Sequence, residues 1–290
     1  MSPEIRLVAV DLDGTLLSSA REIPKQNDLA LARLGPRGVS FAIVTGRRFP
    51  AALPYLRELS FDPFVIANSG AIVKEATRGR ILRRKLLSCS IAEEVLDIAA
   101  RRTMEPVVHD GPDAEGNLIL RDGAQTVPHL TRYVNQSNPP PAWMSSFQLT
   151  RDPVQIGFAS SVGAIRDFEA FLSSELGTKG EAINLARTEY LAEDFALLDV
   201  LSAEASKAKG LAFLSDHLGI RMSETMAIGD NWNDVGMLEL AGLGVIMANA
   251  PEELHSRGFV ETTSNDDAGV ARAIERHVLS DHGEGDDTKK

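Results

Sequence analysis

The sequence predicts a doubly wound, Rossmann-like α/β protein whose parallel sheet is interrupted by an inserted α+β domain. Two observations predict this fold class. Towards both ends of the chain, short apolar runs alternate with helical patterns, separated by loops of about 2–6 residues. Between about residues 84 and 199 the chain instead carries strand and helix patterns without that regular alternation.

The first half of the α/β unit is predicted from three strands. Residues 5–10 form a short β-prone apolar run, and a helical pattern ending at Gly35-Pro36 follows it. Residues 39–44 are almost continuously apolar, as expected for a parallel strand covered on both faces. A further helix leads to a third strand at residues 64–67.

The α/β alternation resumes after the inserted segment. It runs through a helix, a strand, a short helix, a strand and a last helix, at about residues 206–218, 225–228, 237–241, 245–247 and 270–278. We therefore predict a discontinuous core of residues 1–83 and 200–280, and an inserted α+β domain of residues 84–199. The polar segment 281–290 is predicted to be a disordered tail.

Composition excludes several classes of partner. The chain of 290 residues is 43% apolar and 24% charged, which is typical of a globular protein, and its formal net charge of −11 argues against a nucleic-acid partner. No apolar run has the length of a membrane span, and residue 89 is the one cysteine. These features predict a cytoplasmic protein with no nucleic-acid or membrane partner.

The first strand ends in two carboxylates, Asp11 and Asp13, followed by Gly14 and Thr15. In an open parallel sheet, ligands bind beyond the carboxyl ends of the strands, so both carboxylates would face one cleft. Two acids this close repel each other unless a cation lies between them, and Mg²⁺ suits oxygen ligands. The alternative is a helix-capping Asp with a glycine turn.

Three later segments add polar groups that fit the same chemistry. Thr45 and Gly46 follow the second strand, Lys207 opens a helix, and Asp230 follows a later strand. A hydroxyl, a backbone N–H and an ammonium group at a helix N-terminus are suited to holding phosphate oxygens. Together with a carboxylate nucleophile and a bridging cation, they are the groups that phosphoryl transfer requires.

The chain resembles the haloacid dehalogenase-like (HAD) phosphohydrolases. The resemblance rests on DLDGTLL, TGR, SK and GDNWND, which occur in the order of the four motifs of that family. The stretches NSGA, MANAPEEL and SNDDAGVARAIE are similar to its Cof-type (IIB) members, which carry a large α/β cap between the second and third motifs. The match covers about residues 5–82 and 200–278, whereas the middle section matches only in position and size.

The resemblance implies a mechanism for the acidic residues. Asp11 would attack phosphorus and form an aspartyl-phosphate, and Asp13 would protonate the leaving alcohol and later activate water. Mg²⁺ would be bound by the side chains of Asp11 and Asp230 and by the backbone carbonyl of Asp13. The implied activity is a Mg²⁺-dependent phosphatase for a small phosphorylated metabolite, plausibly a sugar phosphate.

The resemblance also implies roles for the surrounding residues. Thr45, Gly46 and Lys207 would hold the phosphoryl group, with Lys207 also screening charge between nucleophile and substrate. Asn233 would contact substrate or orient the site, and Asp234 would orient the metal site or the lysine. A sugar phosphomutase would use the same residues, and a catalytically idle binding protein of the same fold is the non-enzymatic alternative.

Some positions stay open in the sequence. Arg47 either contacts substrate or braces its loop, and Lys209-Gly210 rivals Lys207 as the third motif, although Lys207 keeps the family's helix register. In NSGA, either Asn68 or Ser69 could face the site. The histidines show no metal-ligand spacing, so we expect each to be a surface or capping residue. Neither the substrate nor the oligomeric state can be inferred.

Overall fold

The computed structural model of the chain describes residues 4–59, 61–111, 117–124, 127–134, 137 and 140–280. The predicted disordered tail, residues 281–290, lies outside this range. None of the helices within the described part of the chain has the length and apolar character that crossing a membrane requires.

The described strands belong to two sheets. They are β1 (Leu7–Asp11), β2 (Ser40–Val44), β3 (Phe64–Ala67), β4 (Ile72–Glu75), β5 (Ile81–Arg84), β6 (Pro106–Asp110), β7 (Asn117–Arg121), β8 (Ala142–Met144), β9 (Gln155–Ser160), β10 (Ile183–Tyr190), β11 (Phe195–Ser202), β12 (Thr225–Gly229), β13 (Leu243–Met247) and β14 (Val260–Thr262). The first sheet has the order β14-β13-β12-β1-β2-β3-β4-β5, and the second has the order β10-β11-β9-β6-β7-β8.

The described residues also form α-helices. They are α1 (Lys25–Ala32), α2 (Phe49–Leu56), α3 (Cys89–Arg101), α4 (Pro128–Val134), α5 (Val162–Leu176), α6 (Lys207–His217), α7 (Val235–Leu240), α8 (Glu252–His255) and α9 (Gly269–Ile274). Short 3₁₀ turns connect several of them, including Asn68–Gly70 after β3 and Trp232–Asp234 after β12.

The first sheet confirms the predicted doubly wound core. Strand β1 is central, runs parallel to β2 and β12, and is buried along its whole length. Its Val8 and Val10 pack in the apolar cluster that contains α1 and α9, while Leu7 and Ala9 pack in the cluster that contains α6 and α7. Both faces are therefore covered by helices, which explains the continuous apolar pattern of the strand.

The second sheet lies between β5 and α6 in the sequence. It is antiparallel except for the β7–β8 pair, and α3 and α5 pack on one of its faces. We propose that it forms the inserted domain expected at residues 84–199. Its last strand, β11, continues to Ser202, so the sheet extends slightly beyond that predicted boundary.

The two sheets meet where β10 lies over the turn that follows β12. The Asn231 side-chain amide donates to the backbone carbonyl of Glu189 on β10 at 3.1 Å. The Asn233 amide donates to the Thr188 hydroxyl at 2.9 Å. These contacts place one edge of the second sheet directly over the carboxyl ends of the core strands.

Candidate active site

The predicted site residues come together at one edge of the first sheet. Asp11 is the last residue of β1, Thr45 directly follows β2, and Asp230 directly follows β12. All three are buried. Because β1, β2 and β12 are parallel neighbours, their carboxyl ends deliver these side chains to the same place.

Lys207 joins this group from the first residue of α6. Its Nζ lies 2.6 Å from Asp11 Oδ1 and 2.5 Å from Asp234 Oδ1, and the whole residue is 3% exposed. The Ser206 hydroxyl caps the helix by accepting from the Lys209 N–H at 3.0 Å, which starts the helix at the residue that must enter the site. The structure therefore brings Lys207, and not Lys209, to the acidic cluster.

A glycine allows α6 to approach the core closely enough for this contact. A Cβ on Gly70 would lie 1.9 Å from the Ser206 carbonyl oxygen, and Gly70 has a φ of +95°. Any side chain at this position would push the start of α6 away from the sheet. The absence of a side chain at Gly70 thus allows Lys207 of the third motif to reach Asp11 of the first motif.

Asp234 uses both of its carboxylate oxygens within the protein. Oδ1 accepts from Lys207, and Oδ2 accepts from the backbone N–H groups of Asp230 and Asn231 at 3.1 and 3.0 Å. This bonding fixes the turn that carries Asp230 and orients the lysine. The role implied for Asp234 by the resemblance, orienting the metal site or the lysine, stays a prediction.

Asp230 lies against the glycine of the first motif. Its Oδ1 accepts from the Thr15 hydroxyl at 2.8 Å, a contact that the sequence did not indicate. A Cβ on Gly14 would lie 2.4 Å from Asp230 Oδ2, and the φ of Gly14 is +79°. The backbone at Asp13-Gly14 and the Asp230 carboxylate therefore come as close as they do because residue 14 has no side chain.

The acidic cluster has the composition of a cation site. One oxygen each from Asp11, Asp230 and Asp234 lies within 4.8 Å of the others, and all three residues are buried. Burial and the charge of Asp234 raise the pKa of Asp11 well above its ordinary range, and they raise the pKa of Asp230 to about 7. Lys207 contacts two of the three buried carboxylates, Asp11 and Asp234, so a hard divalent cation fits the remaining charge and the oxygen donors.

The Asp13 side chain points to a different partner. Arg47 Nε lies 2.7 Å from Asp13 Oδ2, and its second nitrogen lies 2.5 Å from Oδ1, which makes the pair bidentate. The guanidinium also lies over the Tyr55 ring, 5.0 Å from the ring centre. Arg47 therefore contacts the first motif, and its role as a substrate contact or a loop brace stays a prediction.

Thr45 and Gly46 lie beside the turn after β3. The Thr45 hydroxyl accepts from the Arg47 N–H at 3.1 Å, and a Cβ on Gly46 would lie 3.3 Å from Ser69 Oγ.

Ser69 also lines a cavity of about 370 Å³ between the two sheets, whereas Asn68 donates to Gln155 of β9. The other residues that line this cavity with Ser69 include Asn184, Arg187, Lys207, Trp232 and Asn233. Ser69 is therefore the residue of the NSGA stretch that borders this cavity.

Two residues of the second sheet were not found from the sequence. The partly buried Tyr190 ends β10, and burial together with the charges of Asp13 and Asp230 raises its pKa. His109 was expected at the surface, which is wrong, because it is fully buried on β6. Burial and nearby Arg48 lower the pKa of His109 to about 3. Its position two residues after Val107, on the same strand face, was the available signal.

Comparison with known proteins agrees with the fold. A statistical model of the haloacid dehalogenase-like hydrolase family matches residues 8–274. The phosphatase YwpJ of Bacillus subtilis is 29% identical over 308 aligned positions, covering 95% of this chain and 100% of that protein. An HMP-PP phosphatase of Citrobacter koseri is 32% identical over 251 positions, covering 86% of each chain.

A solved structure agrees over nearly the whole chain. A haloacid dehalogenase-like hydrolase from Bacillus subtilis superposes with a TM-score of 0.77 at 26% identity, covering 93% of this chain and 99% of that one. The fold and the relatives together define a hydrolase built on a doubly wound, Rossmann-like α/β core. The chain belongs to the haloacid dehalogenase-like hydrolases, in their Cof-type group, and is an enzyme of the phosphatase type.

Proposed function

We propose that the protein is a Mg²⁺-dependent phosphatase that hydrolyses a small phosphorylated metabolite through an aspartyl-phosphate on Asp11. The observation that carries the proposal is the shared ammonium group. Lys207 contacts both Asp11 and Asp234, and Asp230 lies within the same buried cluster. A carboxylate held between a fixed cation and a second acidic group is suited to attack on an anionic phosphate ester.

The side chains of Asp11 and Asp230 and the backbone carbonyl of Asp13 would hold the Mg²⁺ ion. Asp234 is a poorer ligand, because both of its oxygens already accept hydrogen bonds. When bound, Mg²⁺ supplies positive charge between the attacking carboxylate and the phosphate oxygens. The pKa of Asp230, raised to about 7 by burial, reflects the cost of keeping this acid ionised without such a partner.

In the first half of the reaction, an Asp11 oxygen forms a bond to phosphorus as the bond from phosphorus to the leaving oxygen breaks. Asp13 would leave its bidentate contact with Arg47 in the protonated form and donate that proton to the leaving oxygen, so the alcohol leaves neutral. In the second half, Asp13 accepts a proton from a water molecule that attacks the phosphoryl group. The bond from Asp11 to phosphorus breaks, inorganic phosphate forms and both carboxyl groups return to their starting states.

Thr45, Gly46 and Lys207 would hold the phosphoryl oxygens during both steps. The Thr45 hydroxyl is fixed by the Arg47 N–H, and Lys207 is fixed between two carboxylates. Donors that are held in place before the reaction stabilise developing charge without reorganising. Asn233 is held by Thr188 of β10 and borders the cavity, so it would contact the leaving group or connect it to the second sheet.

The substrate would be small. Lys207 and Asn233 line a cavity of about 370 Å³, near the lower end of the range for small-molecule sites, whereas Asp11, Asp13 and Thr45 lie outside its lining. A relative is named as an HMP-PP phosphatase, which agrees with a phosphorylated metabolite as substrate. A sugar phosphate fits the same description, and the cytoplasmic location expected from the sequence stays a prediction.

The proposal is tested by assaying purified protein with p-nitrophenyl phosphate and Mg²⁺. We expect turnover that is abolished by EDTA, restored by Mg²⁺, and lost in Asp11→Asn. Asp216→Asn, at an exposed position of α6, is the matched control and should keep full activity. Hydrolysis that survives both metal removal and Asp11→Asn would rule out the proposed mechanism.

A further inference from the structure

A chain of polar side chains crosses from the first sheet into the second. It begins at Asn68, directly after β3, which is fully buried and has a φ of +49°. Its Nδ2 donates to Gln155 Oε1 on β9 at 3.2 Å and lies 3.5 Å from His109 Nδ1 on β6. A non-glycine residue with positive φ is uncommon, and Asn tolerates it better than most. The loop is therefore shaped so that this amide faces the second sheet.

The series of hydrogen-bonded side chains continues across the second sheet to β11. Gln155 is fully buried, and its Nε2 donates to Asp199 Oδ1 at 2.8 Å. Asp199 is partly buried and lies within electrostatic range of Lys207. This polar bridge of Asn68, Gln155 and Asp199 thus runs from the core loop beside Gly46, through β9, to a carboxylate near Lys207 of the candidate site.

The second sheet makes room for this chain. Gln155 pairs with His109 across β9 and β6, and Gly157 pairs with Asp199 across β9 and β11. A Cβ on Gly157 would lie 3.2 Å from Asp199 Oδ1 and 3.5 Å from His109 Nε2. The absence of a side chain at residue 157 lets the polar groups of three strands gather on the face opposite α3 and α5.

The amide donors of Asn68 and Gln155 find their acceptors in one placement of the second sheet over the first, although Asn68 Oδ1 accepts no hydrogen bond from the described residues. The primary amides of Asn68 and Gln155 are buried, so a small shift between the sheets would leave donors without acceptors in a place where water cannot replace them. Apolar contacts tolerate sliding more readily, because they have no required direction. A buried polar network is therefore suited to fixing the relative position of two packed units.

We propose that Asn68, Gln155 and Asp199 are positioning residues that fix the inserted domain over the candidate active site. None of them contacts the acidic cluster directly in the hydrogen bonds described above. They act by holding β9, β10 and β11 at a set distance from Lys207 and Asn233. The proposal rests on the proposed phosphatase function, since it concerns the alignment of that site.

The kinetic test uses Gln155→Met, which keeps the volume and removes both hydrogen bonds. We expect kcat/KM for p-nitrophenyl phosphate to fall about tenfold, as a small misplacement can cause. The inhibition constant of inorganic phosphate should stay within about twofold, because the proposed phosphate donors all belong to the core. A global loss of stability would instead weaken turnover and the binding of inorganic phosphate together. Arg151→Met is the matched control, since it removes a bidentate contact to Asp110 within the second sheet's own domain.

Two further variants distinguish a bridge from independent local effects. Asn68→Gly suits the positive φ and removes the amide, and its effect should not add to that of Gln155→Met in the double variant. Asp199→Asn keeps the Oδ1 acceptor and should retain activity, whereas Asp199→Leu should resemble Gln155→Met. Additive losses, or equal losses in Asp199→Asn and Asp199→Leu, would overturn the proposal.

Hydrogen exchange gives a readout that does not depend on turnover. In Gln155→Met, backbone amides of residues 66–70 should exchange faster than in the wild type, and in Arg151→Met they should not. If the wild type hydrolyses phosphate esters but neither kinetics nor exchange responds to Gln155→Met, the positioning role alone is wrong. If exchange responds but the wild type lacks Mg²⁺-dependent activity, the bridge exists and the proposed function fails.

Discussion

Lys207 Nζ lies 2.6 Å from Asp11 Oδ1, and the side chains of both residues are almost fully buried. Burial lowers the pKa of Lys207, but the charges of Asp11 and Asp234 outweigh it and raise that pKa above its ordinary value. The ammonium group therefore stays charged inside the protein. It holds the proposed nucleophile in place while partly compensating the acidic cluster.

The first prediction concerns the removal of this cation. Lys207→Met leaves Asp11 and Asp234 buried without their shared partner, and it should reduce the free energy of unfolding by about 3–5 kcal/mol without Mg²⁺. Phosphatase activity should also be lost. Lys209→Met removes the neighbouring, exposed lysine and should change neither property appreciably. Chemical denaturation and the aryl phosphate assay provide both measurements, and equal effects of the two variants would contradict the assignment of Lys207.

The second prediction concerns the bidentate pair between Arg47 and Asp13. Arg47→Lys keeps the charge but cannot present two parallel donors, so Asp13 would lose its fixed orientation. We expect kcat to fall about 10- to 100-fold, as the loss of one charged hydrogen bond of about 1.5–3 kcal/mol would give, with KM little changed. Steady-state kinetics tests this. A rise in KM with an unaltered kcat would indicate that Arg47 contacts substrate instead.

The third prediction separates the two acids of the first motif. Asp13→Asn removes the proposed proton donor, and its effect should depend on the leaving group. For an alkyl phosphate, whose alcohol needs a proton, we expect a loss of about 10²–10⁴-fold. For p-nitrophenyl phosphate, whose leaving group departs as an anion, the loss should be clearly smaller. Equal losses on both substrates would be inconsistent with acid catalysis by Asp13.

The fourth prediction is a pH dependence of stability at Asp199. Burial raises the pKa of Asp199 from 3.8 to about 7 against the hydrogen bond from Gln155. The stabilising effect of this raised pKa is complete below about pH 4, where the group is protonated in both states, and is lost as the pH rises through about 7. Asp199→Asn should therefore gain stability relative to the wild type between pH 5 and 8. Denaturation across this range tests it, and a pH-independent difference would contradict it.

The sequence predicted the core because each core strand combines two strong signals. Strands β1, β2, β3 and β12 are almost continuously apolar, and each ends in a polar motif at the edge of the sheet. Strands β4 and β5 were missed, since Lys74, Arg83 and Arg84 interrupt their apolar pattern. Antiparallel pairing of β3, β4 and β5 at the end of the sheet overrides that local composition.

The polar contacts between the two sheets could not be predicted from the sequence. Asp11, Lys207 and Asp230 stand in motifs whose spacing suggested a shared site. Gln155, Asp199 and His109 stand in no motif. Gln155 and His109 meet Asn68, and Asp199 meets Gln155, only because three strands of the second sheet bring them to one face. Such long-range contacts depend on how two folded units pack, which local patterns do not encode.

The proposed mechanism requires that the side chain of Asp11 receives the phosphoryl group. Quenching the enzyme during turnover with sodium borohydride reduces an acyl phosphate to an alcohol, and tandem mass spectrometry then locates the altered residue. We predict homoserine at position 11, dependent on substrate and Mg²⁺, with Asp13 unmodified. Reduction at another carboxylate, or turnover without any reducible residue, would contradict an aspartyl-phosphate on Asp11.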